Sequence, residues 1–267
     1  MPKQFDIEYF NNCLRTTWIG SEFIHVDKVN STNSSAKNIP PDELVHGTVL
    51  NTDNQSSGRG QYERNWFAEP GKNLTFTIVF KPPNAGRLTL LTMASAYAVL
   101  NVIKQKTDHP VSLKWPNDIM IDGKKVGGIL TECIFYGQNP DRVLIGIGLN
   151  ISKADFDEEL KDIAISLESV TNETVKREQL LADILASVEL VYQKWHKQDA
   201  FLHQEISRNM IGFGEWVKLK VAHELQEGRF KFLGVNEKGE LLVLNEDLDV
   251  NTFSHEQVRI ITDSHRV

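Results

Sequence analysis

The chain has 267 residues, of which 40% are hydrophobic and 24% charged, and these proportions are those of a folded globular protein rather than a disordered one. A net charge of -7 argues against a general electrostatic affinity of the protein for nucleic acid or anionic membranes. The polar first residues are unlike a signal peptide, and the longest mostly apolar run, residues 88–100, is shorter than the roughly 20 residues of a membrane span. Two cysteines, Cys13 and Cys133, are expected as thiols in a reducing compartment rather than as a disulfide. We therefore expect a cytoplasmic protein.

Three polar residues, Ser31, Thr32 and Asn33, precede a helical stretch near the N-terminus. Before them, residues 11–24 predict a short helix that is followed by a strand at residues 21–26. Ser, Thr and Asn are typical of helix N-caps, which is one interpretation of the triplet. The other is that its hydroxyl and amide groups face the polar end of a ligand. Both interpretations remain open at this point.

A long connection separates two predicted strands, residues 47–50 and 73–80. Residues 51–72 show no hydrophobic period and contain the triplet Gly58-Arg-Gly60. Connections of about twenty residues are rarely simple turns, and many of them are lids or binding loops. The glycines would let backbone N–H groups and Arg59 surround an anion. The triplet by itself is only a weak indication of such a site.

The stretch from Lys114 to Glu132 places a lysine beside a proline bend. Alternating polarity over residues 111–115 predicts a strand with Lys114 on its exposed face. Pro116 has no N–H to donate, so regular pairing is expected to end there. Taken alone, Lys114 is most simply explained as a solvated charge that lies along the ring of Trp115.

A hairpin is predicted directly after this bend. Asp122-Gly123 is a strong turn signal, and residues 126–135 predict the return strand. Gly127 and Gly128 lie inside that strand, where glycine is unfavourable unless a ligand or another backbone comes close. A further strand at residues 143–151 completes a predicted antiparallel meander.

The remaining chain divides into a helical region and a β-rich region. Helical spacing of apolar residues predicts helices at residues 88–105, 158–170 and 177–196. Short strands broken by turns then predict a small β-barrel. We therefore expect two domains, residues 1–212 and 213–267. The predicted strands of the second domain are residues 216–221, 229–235, 241–244 and 258–261.

Four groups of residues follow one another along the chain in a distinctive order. In this order and spacing they closely resemble the biotin protein ligases, and Lys-Trp-Pro-Asn-Asp followed by Gly-Ile-Leu is the most specific part. The resemblance implies an α+β fold. A catalytic domain related to class II aminoacyl-tRNA synthetases, with a mixed sheet flanked by helices, would be followed by a small SH3-like β-barrel. The four groups are Ser31-Thr-Asn33, Gln55 with Gly58-Arg-Gly60 and Arg64-Asn-Trp66, Lys114-Trp-Pro-Asn-Asp118 with Gly127-Gly-Ile-Leu130, and Gly146-Ile-Gly-Leu-Asn150.

The resemblance implies an enzyme that uses ATP to activate biotin as biotinyl-5′-AMP. It would then transfer biotin to a lysine of a biotin carboxyl carrier protein or domain. Lys114 and Arg59 are implied as catalytic residues, because both steps move negative charge. The implied biotin-binding residues are Ser31, Thr32, Asn33, Gln55, Arg59, Gly60, Gln61, Lys114, Gly127 and Gly128.

The nucleotide is implied to lie beside the biotin carboxylate. Lys114 would touch both the biotin carboxyl oxygen and the α-phosphate, and Trp66 would offer a face to the adenine. Magnesium is expected with the triphosphate, although no ligands for it are indicated. The implied ATP- and adenylate-binding residues are Arg59, Arg64, Trp66, Lys114, Asn117 and Asn150.

Two features depart from the usual pattern of the family. The chain begins almost at the predicted catalytic domain, so we expect no N-terminal winged helix and no DNA binding. The position after Gly58-Arg-Gly60 is usually basic, whereas here it is Gln61. We expect no association with membranes, and the sequence is compatible with either a monomer or a homodimer.

Two alternative functions were weighed against biotin ligation. A lipoate ligase shares the fold and the adenylation chemistry, but it is not expected to carry Lys-Trp-Pro-Asn-Asp. A non-catalytic biotin sensor or adaptor would not need Arg59 and Lys114, and both residues are present.

Overall fold

The computed structural model describes residues 4–82, 85–152, 160–171, 173–222, 224–254 and 258–261. Within these ranges, two long helices, α3 and α5, pack against each other and bury most of their apolar side chains. No helix in these ranges is both long and apolar enough to cross a membrane. The helices are α1 (Ile7–Cys13), α2 (Thr32–Asn38), α3 (Leu88–Lys104), α4 (Glu168–Thr171), α5 (Arg177–His196) and α6 (Leu202–Ser207).

The strands form a large mixed sheet, a smaller antiparallel sheet and a two-stranded ribbon. In the large sheet the order is β1-β2-β5-β9-β8-β7-β6, with β1 parallel to β2 and the other pairs antiparallel. The strands are β1 (Phe23–Val29), β2 (Val49–Gln55), β3 (Gly58–Arg59), β4 (Asn65–Trp66), β5 (Asn73–Phe80), β6 (Val111–Lys114), β7 (Asp118–Ile121), β8 (Lys124–Tyr136), β9 (Asn139–Asn150), β10 (Trp216–Val221), β11 (Glu224–Leu225), β12 (Phe230–Val235), β13 (Leu241–Leu244), β14 (Val250–Phe253) and β15 (Val258–Ile261).

The predicted meander is confirmed as the four strands β6 to β9. Asp122 and Gly123 join β7 to β8 with φ angles of 50° and 76°, the left-handed conformations that a tight hairpin turn requires. Strands β8 and β9 pair along most of their length. Both cysteines are free, as predicted, and burial raises the pKa of the Cys133 thiol.

The N-terminal helix was predicted at the wrong place. It begins at Ile7, because the carboxylate of Asp6 accepts a 2.9 Å hydrogen bond from Tyr9 N and caps it. The following strand, predicted at residues 21–26, begins at Phe23 and continues to Val29.

The helix predicted at residues 158–170 is also wrong over most of its described part. Residues 153–159 lie outside the described residues, and only Glu168–Thr171 is helical. Before it, residues 160–163 form a turn and Ala164 then bridges to Lys125 of β8. Lys125 N donates to Ile163 O at 2.8 Å, and Ile165 N donates to Lys125 O at 2.9 Å. Backbone pairing with a neighbouring strand here replaces helical hydrogen bonds.

The long connection at residues 51–72 is more ordered than predicted. Strand β2 continues to Gln55, and β3 then pairs with β4 to make a small hairpin. A single 3₁₀ turn, Gln61–Glu63, joins the two short strands. The connection therefore presents a hairpin above the ends of β2 and β5.

The C-terminal strands form the second sheet, in which β10 pairs with β11, β12 and β15. Three of the four predicted strands are confirmed in full, whereas β11 and β14 were not predicted. The two sheets together confirm the predicted α+β class, with a mixed sheet flanked by helices and a curled antiparallel sheet after it.

A buried carboxylate fixes the segment before β1 to helix α5. Glu189 accepts hydrogen bonds of 2.6 Å from Thr17 Oγ1 and of 2.9–3.1 Å from the backbone N atoms of Thr17, Trp18 and Ile19. Burial alone would raise the pKa of this carboxyl, but the donated hydrogen bonds outweigh burial and lower it. Glu189 is therefore an ionised clamp of the scaffold.

Candidate active site

A cavity of about 510 Å³ opens where the large sheet, the β3–β4 hairpin and strand β15 meet. Its volume lies in the usual range for small-molecule sites. The start of α2 forms one end, the hairpin forms a roof, and β6, β8 and β9 form the floor. The named segments supply both polar and apolar side chains.

The end of the cavity beside α2 is a buried polar network. Thr32 and Asn33 are 3% and 2% exposed, and Gln55 is 7% exposed. Gln55 Oε1 accepts a 2.9 Å hydrogen bond from Thr32 N. Thr77 Oγ1 donates to Asn33 Oδ1 at 2.7 Å and lies 2.8 Å from Thr32 Oγ1. These contacts fix the orientation of the side chains before any ligand binds.

Glu132 joins this buried network to the hairpin. Its carboxylate accepts a 2.7 Å hydrogen bond from Asn33 Nδ2. It also forms an ion pair with Arg59, whose Nη2 lies 3.1 Å from Oε2 and 3.0 Å from Ser34 Oγ. Arg59 is therefore held by a carboxylate of β8, although its side chain stays partly exposed to solvent.

Two glycines of β9 make room for cavity side chains. A Cβ atom on Gly146 would lie 2.5 Å from Asn33 Oδ1, and one on Gly148 would lie 2.5 Å from Cε2 of Trp66. Because real Cβ atoms do not approach that closely, only glycine fits at either position. The indole Nε1 of Trp66 is buried and has no hydrogen-bond partner among the described residues. It is therefore a donor that a ligand can use.

Lys114 lies at the junction of this cavity with a second one. Strand β6 is held on its free edge by residues 209–211, since Leu113 N donates to Asn209 O and Ile211 N donates to Leu113 O. Lys114 lines both cavities. Its ammonium group makes no ion pair or hydrogen bond with a side chain in the described part of the chain. A positive charge is thus held at the junction without an ion pair to any described side chain.

The second cavity, of about 1010 Å³, runs along β7 and the segment before α4. Arg64, Trp66 and Lys114 line both cavities, whereas Asn150 lines only the second. The side chain of Asn150 accepts from Asn73 Nδ2 at 3.1 Å and donates to Ile165 O at 3.2 Å. These bonds fix it at the point where β9 ends.

The residues after Pro116 are fixed in a similar way. Asn117 Nδ2 donates to Ile129 O at 2.7 Å. Lys125 Nζ lies 2.5 Å from Asp118 Oδ1 and 5.7 Å from the ring centroid of Trp66. The wall between the two cavities is therefore cross-linked by side chains of β7, β8 and β4.

The second sheet also contributes to the first cavity. Arg259, Ile260 and Ile261 of β15 line it, although they belong to the C-terminal strands. The guanidinium carbon of Arg259 lies 5.3 Å from the ring centroid of Tyr62 in the hairpin roof. The C-terminal sheet therefore contacts the hairpin through a cation–π pair.

Comparisons with known proteins agree with this geometry. A family model described as the Biotin/lipoate A/B protein ligase family matches residues 25–150. The bifunctional ligase/repressor BirA of Bacillus subtilis is 31% identical over 234 residues, which are 86% of this chain and 71% of that protein. The chain belongs to the biotin protein ligase family. It is accordingly a ligase enzyme.

Other similar proteins extend the match. The biotin--[acetyl-CoA-carboxylase] ligase of Paracoccus denitrificans is 29% identical over 64% of this chain and 71% of its own length. The structure of the Aquifex aeolicus biotin protein ligase in complex with biotin and ATP matches with a TM-score of 0.77 and 30% identity. That match covers 90% of this chain and 99% of the other. The fold of a biotin protein ligase therefore extends over nearly the whole chain.

The fold brings most of the predicted site residues of this ligase together. Gly127 is an exception, because its α-carbon faces the Leu149 side chain and Gly148 O of the neighbouring strand rather than the cavity. The prediction that another backbone comes close is confirmed there, but the structure does not bring Gly127 to the biotin side. Asn150 is the other exception, because it lines only the second cavity. The predicted residues that line the first cavity are Ser31, Thr32, Asn33, Gln55, Arg59, Gly60, Gln61, Arg64, Trp66, Lys114, Asn117 and Gly128.

The structure also explains the early polar triplet of the ligase. Ser31 occupies the N-cap position of α2, but its side chain makes no capping hydrogen bond. Thr32 and Asn33 are instead committed to the buried network. The polar triplet therefore begins helix α2 and also forms part of the buried polar end of the cavity.

Several residues of the site were missed by sequence reasoning. Glu132 ends the stretch that begins at Lys114. It was not predicted as a site residue, because an acidic side chain is not expected beside cations that bind an anion. Thr77 was read only as part of a core strand. Arg259 carried no signal at all, because its approach to Tyr62 depends on how the two sheets pack.

Proposed function

We propose that this ligase activates biotin with ATP as biotinyl-5′-AMP and transfers the biotin to one lysine of a biotin carboxyl carrier protein or domain. The observation that carries the proposal is the position of Lys114, a cation that pairs with no described side chain and lies where two ligand-sized cavities meet. The relatives named for biotin--[acetyl-CoA-carboxylase] ligation and the neighbour solved with biotin and ATP support it.

Biotin would occupy the first cavity, with its ureido ring at the buried polar end. A ureido group has two N–H donors and a carbonyl acceptor, and it needs fixed partners at the end of an apolar slot. Thr32, Asn33 and Gln55 supply such groups in a network that is already oriented. The carboxylate at the other end would then lie toward Lys114.

ATP would extend from Lys114 into the second cavity. Arg64 and Lys114 supply positive charge along it, and the unpaired Nε1 of Trp66 supplies a donor. Asn117 and Asn150 would support the nucleotide from the two strand ends. The carboxylates of Asp118, Asp122 and Asp162 also line this cavity. Oxygen ligands of this kind suit Mg²⁺, so these residues could hold the magnesium that neutralises phosphate charge in ATP.

In the first step a biotin carboxylate oxygen attacks the α-phosphorus of ATP, and the bond to pyrophosphate breaks. Lys114 stabilises the charge that develops on the phosphoryl oxygens, and its compact ammonium can touch both reactants. Arg59 would leave Glu132 and turn toward the acyl phosphate, because a phosphate carries more charge and more acceptor oxygens than the Glu132 carboxylate.

In the second step the neutral amine of the carrier lysine attacks the biotinyl carbonyl carbon. An amide bond forms, AMP leaves with the electrons of the C–O bond, and the amine loses a proton. The same cations stabilise the departing phosphate. The hairpin over the cavity would shield the anhydride from water until the carrier arrives.

We further propose that residues 1–212 bind both substrates and that residues 213–267 assist them. The contact between Arg259 and Tyr62 supports this division of labour, because it joins the second sheet to the hairpin over the cavity. No part of the proposal requires DNA, and either a monomer or a homodimer is compatible with it.

The test is transfer of biotin to a purified carboxyl-carrier domain in the presence of ATP and Mg²⁺. We expect a mass increase on one lysine of the carrier, and none when that lysine is replaced by arginine. Lipoate in place of biotin is the matched substrate control. Transfer of lipoate alone would make the protein a lipoate ligase, and absence of biotin-dependent pyrophosphate exchange would make it a non-catalytic sensor.

A further inference from the structure

A second group of chemically active side chains lies outside both cavities. His25 and Asp27 on β1 and Asp53 on the parallel neighbour β2 form this group. Nε2 of His25 lies 3.5 Å from Asp53 Oδ2 and 3.7 Å from Asp27 Oδ1. The three ligand atoms all lie within 4.8 Å of one another.

The Nε2 atom of the His25 imidazole faces the two carboxylates of this group. Its side chain is only 6% exposed, and Nε2 is buried without a hydrogen-bond partner among the described residues. A buried nitrogen without a partner carries a free-energy cost that a bound ligand would remove.

The other ring nitrogen has a neighbour that can complete the arrangement. Nδ1 of His25 lies 3.1 Å from Asn51 Nδ2, and Asn51 Oδ1 is buried without a partner. Turning the Asn51 amide by 180° would let Oδ1 accept a hydrogen bond from Nδ1–H. The lone pair of the imidazole would then lie on Nε2, toward the two carboxylates. Metal-bound histidines usually donate their second ring N–H to a carbonyl or carboxylate in this way.

We propose that His25 Nε2, Asp27 and Asp53 bind one divalent transition-metal cation of the zinc class. Ligand atoms at about 2.0–2.1 Å from a tetrahedral ion are about 3.4 Å apart, close to the separations from Nε2. One imidazole and two carboxylates are ligands that zinc accepts, and water would fill the fourth position.

The surrounding charges favour a cation. Arg177 Nη1 lies 2.7 Å from Asp53 Oδ1, whereas His25 is near Oδ2, and Arg177 pairs with only one of the two carboxylates. Phe5 N donates to Asp53 Oδ2 at 3.0 Å, and Gln4 Nε2 donates to Asp27 Oδ1 at 3.4 Å. A bound ion would therefore tie the N-terminal segment, both parallel strands and the start of α5 together. Its role is structural and independent of the proposed reaction.

The test uses the full chain after chelator treatment, without biotin or nucleotide, titrated with Zn²⁺ by calorimetry and by thermal unfolding. We expect one ion per chain and a rise in Tm of about 5 °C or more at a hundredfold excess over Kd. Asp27→Asn should weaken binding at least tenfold. The side chain of Asp27 is 76% exposed, so this variant is expected to fold.

The matched control is His109→Gln. His109 forms an exposed pair with Asp122, with Nδ1 2.6 Å from Oδ2, and it reports binding at a surface histidine beside a carboxylate. We expect its affinity for Zn²⁺ to equal that of the wild type. The proposal is overturned if Zn²⁺ produces no rise in Tm, or if Asp27→Asn binds as tightly as the wild type.

Discussion

The two sides of the first cavity are built on different principles. At the buried end, Thr32, Asn33 and Gln55 are at most 7% exposed and hold one another in place. At the roof, β3 and β4 have two residues each, and the side chain of Arg59 is 46% exposed. One side is a fixed template, and the other is a short hairpin that carries charge.

This difference separates recognition from charge stabilisation. A template that is already oriented loses little entropy when a ligand binds, which favours specificity. A cation on a hairpin can change partners when a phosphate forms or leaves. Glu132 contacts Asn33 at the buried end and Arg59 in the hairpin, so a change of partner at Arg59 can affect the buried end through Glu132.

The largest effect is expected at the junction between the two cavities. Lys114→Ala should lower the rate of adenylate formation by about 10²–10³, because it removes one charged contact to the developing oxyanion. The Tm should stay unchanged, since Lys114 has no ion pair or hydrogen bond with a described side chain. Biotin-dependent pyrophosphate exchange measures the rate. Lys218→Ala, at an exposed strand position, is the matched control, and equal rates in both variants would make Lys114 a surface charge.

A smaller effect is expected when the template is broken. Asn33→Ala takes one hydrogen-bond partner from Thr77, from Glu132 and from the ligand, and a buried group left unsatisfied on the ligand costs about 1–3 kcal/mol. We expect KM for biotin to rise about ten- to a hundredfold, with KM for ATP little changed. Steady-state kinetics with each substrate varied in turn provide the measurement. Asn12→Ala, an exposed position, is the control, and an equal rise in both KM values would contradict a biotin-specific template.

The role of charge in the hairpin can be tested at Gln61, which lines the first cavity. A charge-assisted hydrogen bond contributes about 1.5–3 kcal/mol against about 0.5–1.5 for a neutral one, so Gln61→Arg should slow release of biotinyl-5′-AMP by about tenfold. The measurement is the dissociation rate of the pre-formed intermediate at low and high salt. An electrostatic contact predicts the larger effect at low salt. Equal rates in both proteins would show that Arg59, Arg64 or Lys72 retains the adenylate instead.

The smallest effect concerns the motion of the roof. Because the hairpin buries little surface by itself, cleavage at Arg59 and Arg64 by trypsin should slow several-fold when biotin and ATP are added. Cleavage at Arg229, which directly precedes β12, is the internal control and should not change. Equal cleavage at Arg59 with and without ligands would mean that the roof is already closed.

The sequence predicted much of the fold because its local signals were strong. Strand β5, helix α5 and the Asp122-Gly123 turn follow from period and turn chemistry, and the structure has them at the predicted residues. Residues 160–167 were misread as helical because their path, a turn followed by a bridge to Lys125, depends on a residue that lies far away in the chain.

The site shows the same limit. Family motifs selected residues that the fold brings to one cavity, but they said nothing of contacts between those residues. The ion pair of Arg59 with Glu132 depends on the approach of the β3–β4 hairpin to β8. Arg259 reaches the cavity only because the second sheet packs beside the first. Tertiary packing sets these contacts, and local sequence patterns do not predict it.

The ion pair of Lys125 bears on how a ligase avoids becoming its own substrate. An enzyme that holds an acyl adenylate exposes every nearby primary amine to acylation, and Lys125 lines both cavities. An amine attacks only through a free lone pair, whereas Lys125 Nζ is engaged by Asp118 at 2.5 Å and lies over the ring of Trp66. Asp118 and Trp66 thereby restrain the Lys125 amine, one of the two lysines in the described ranges that line both cavities.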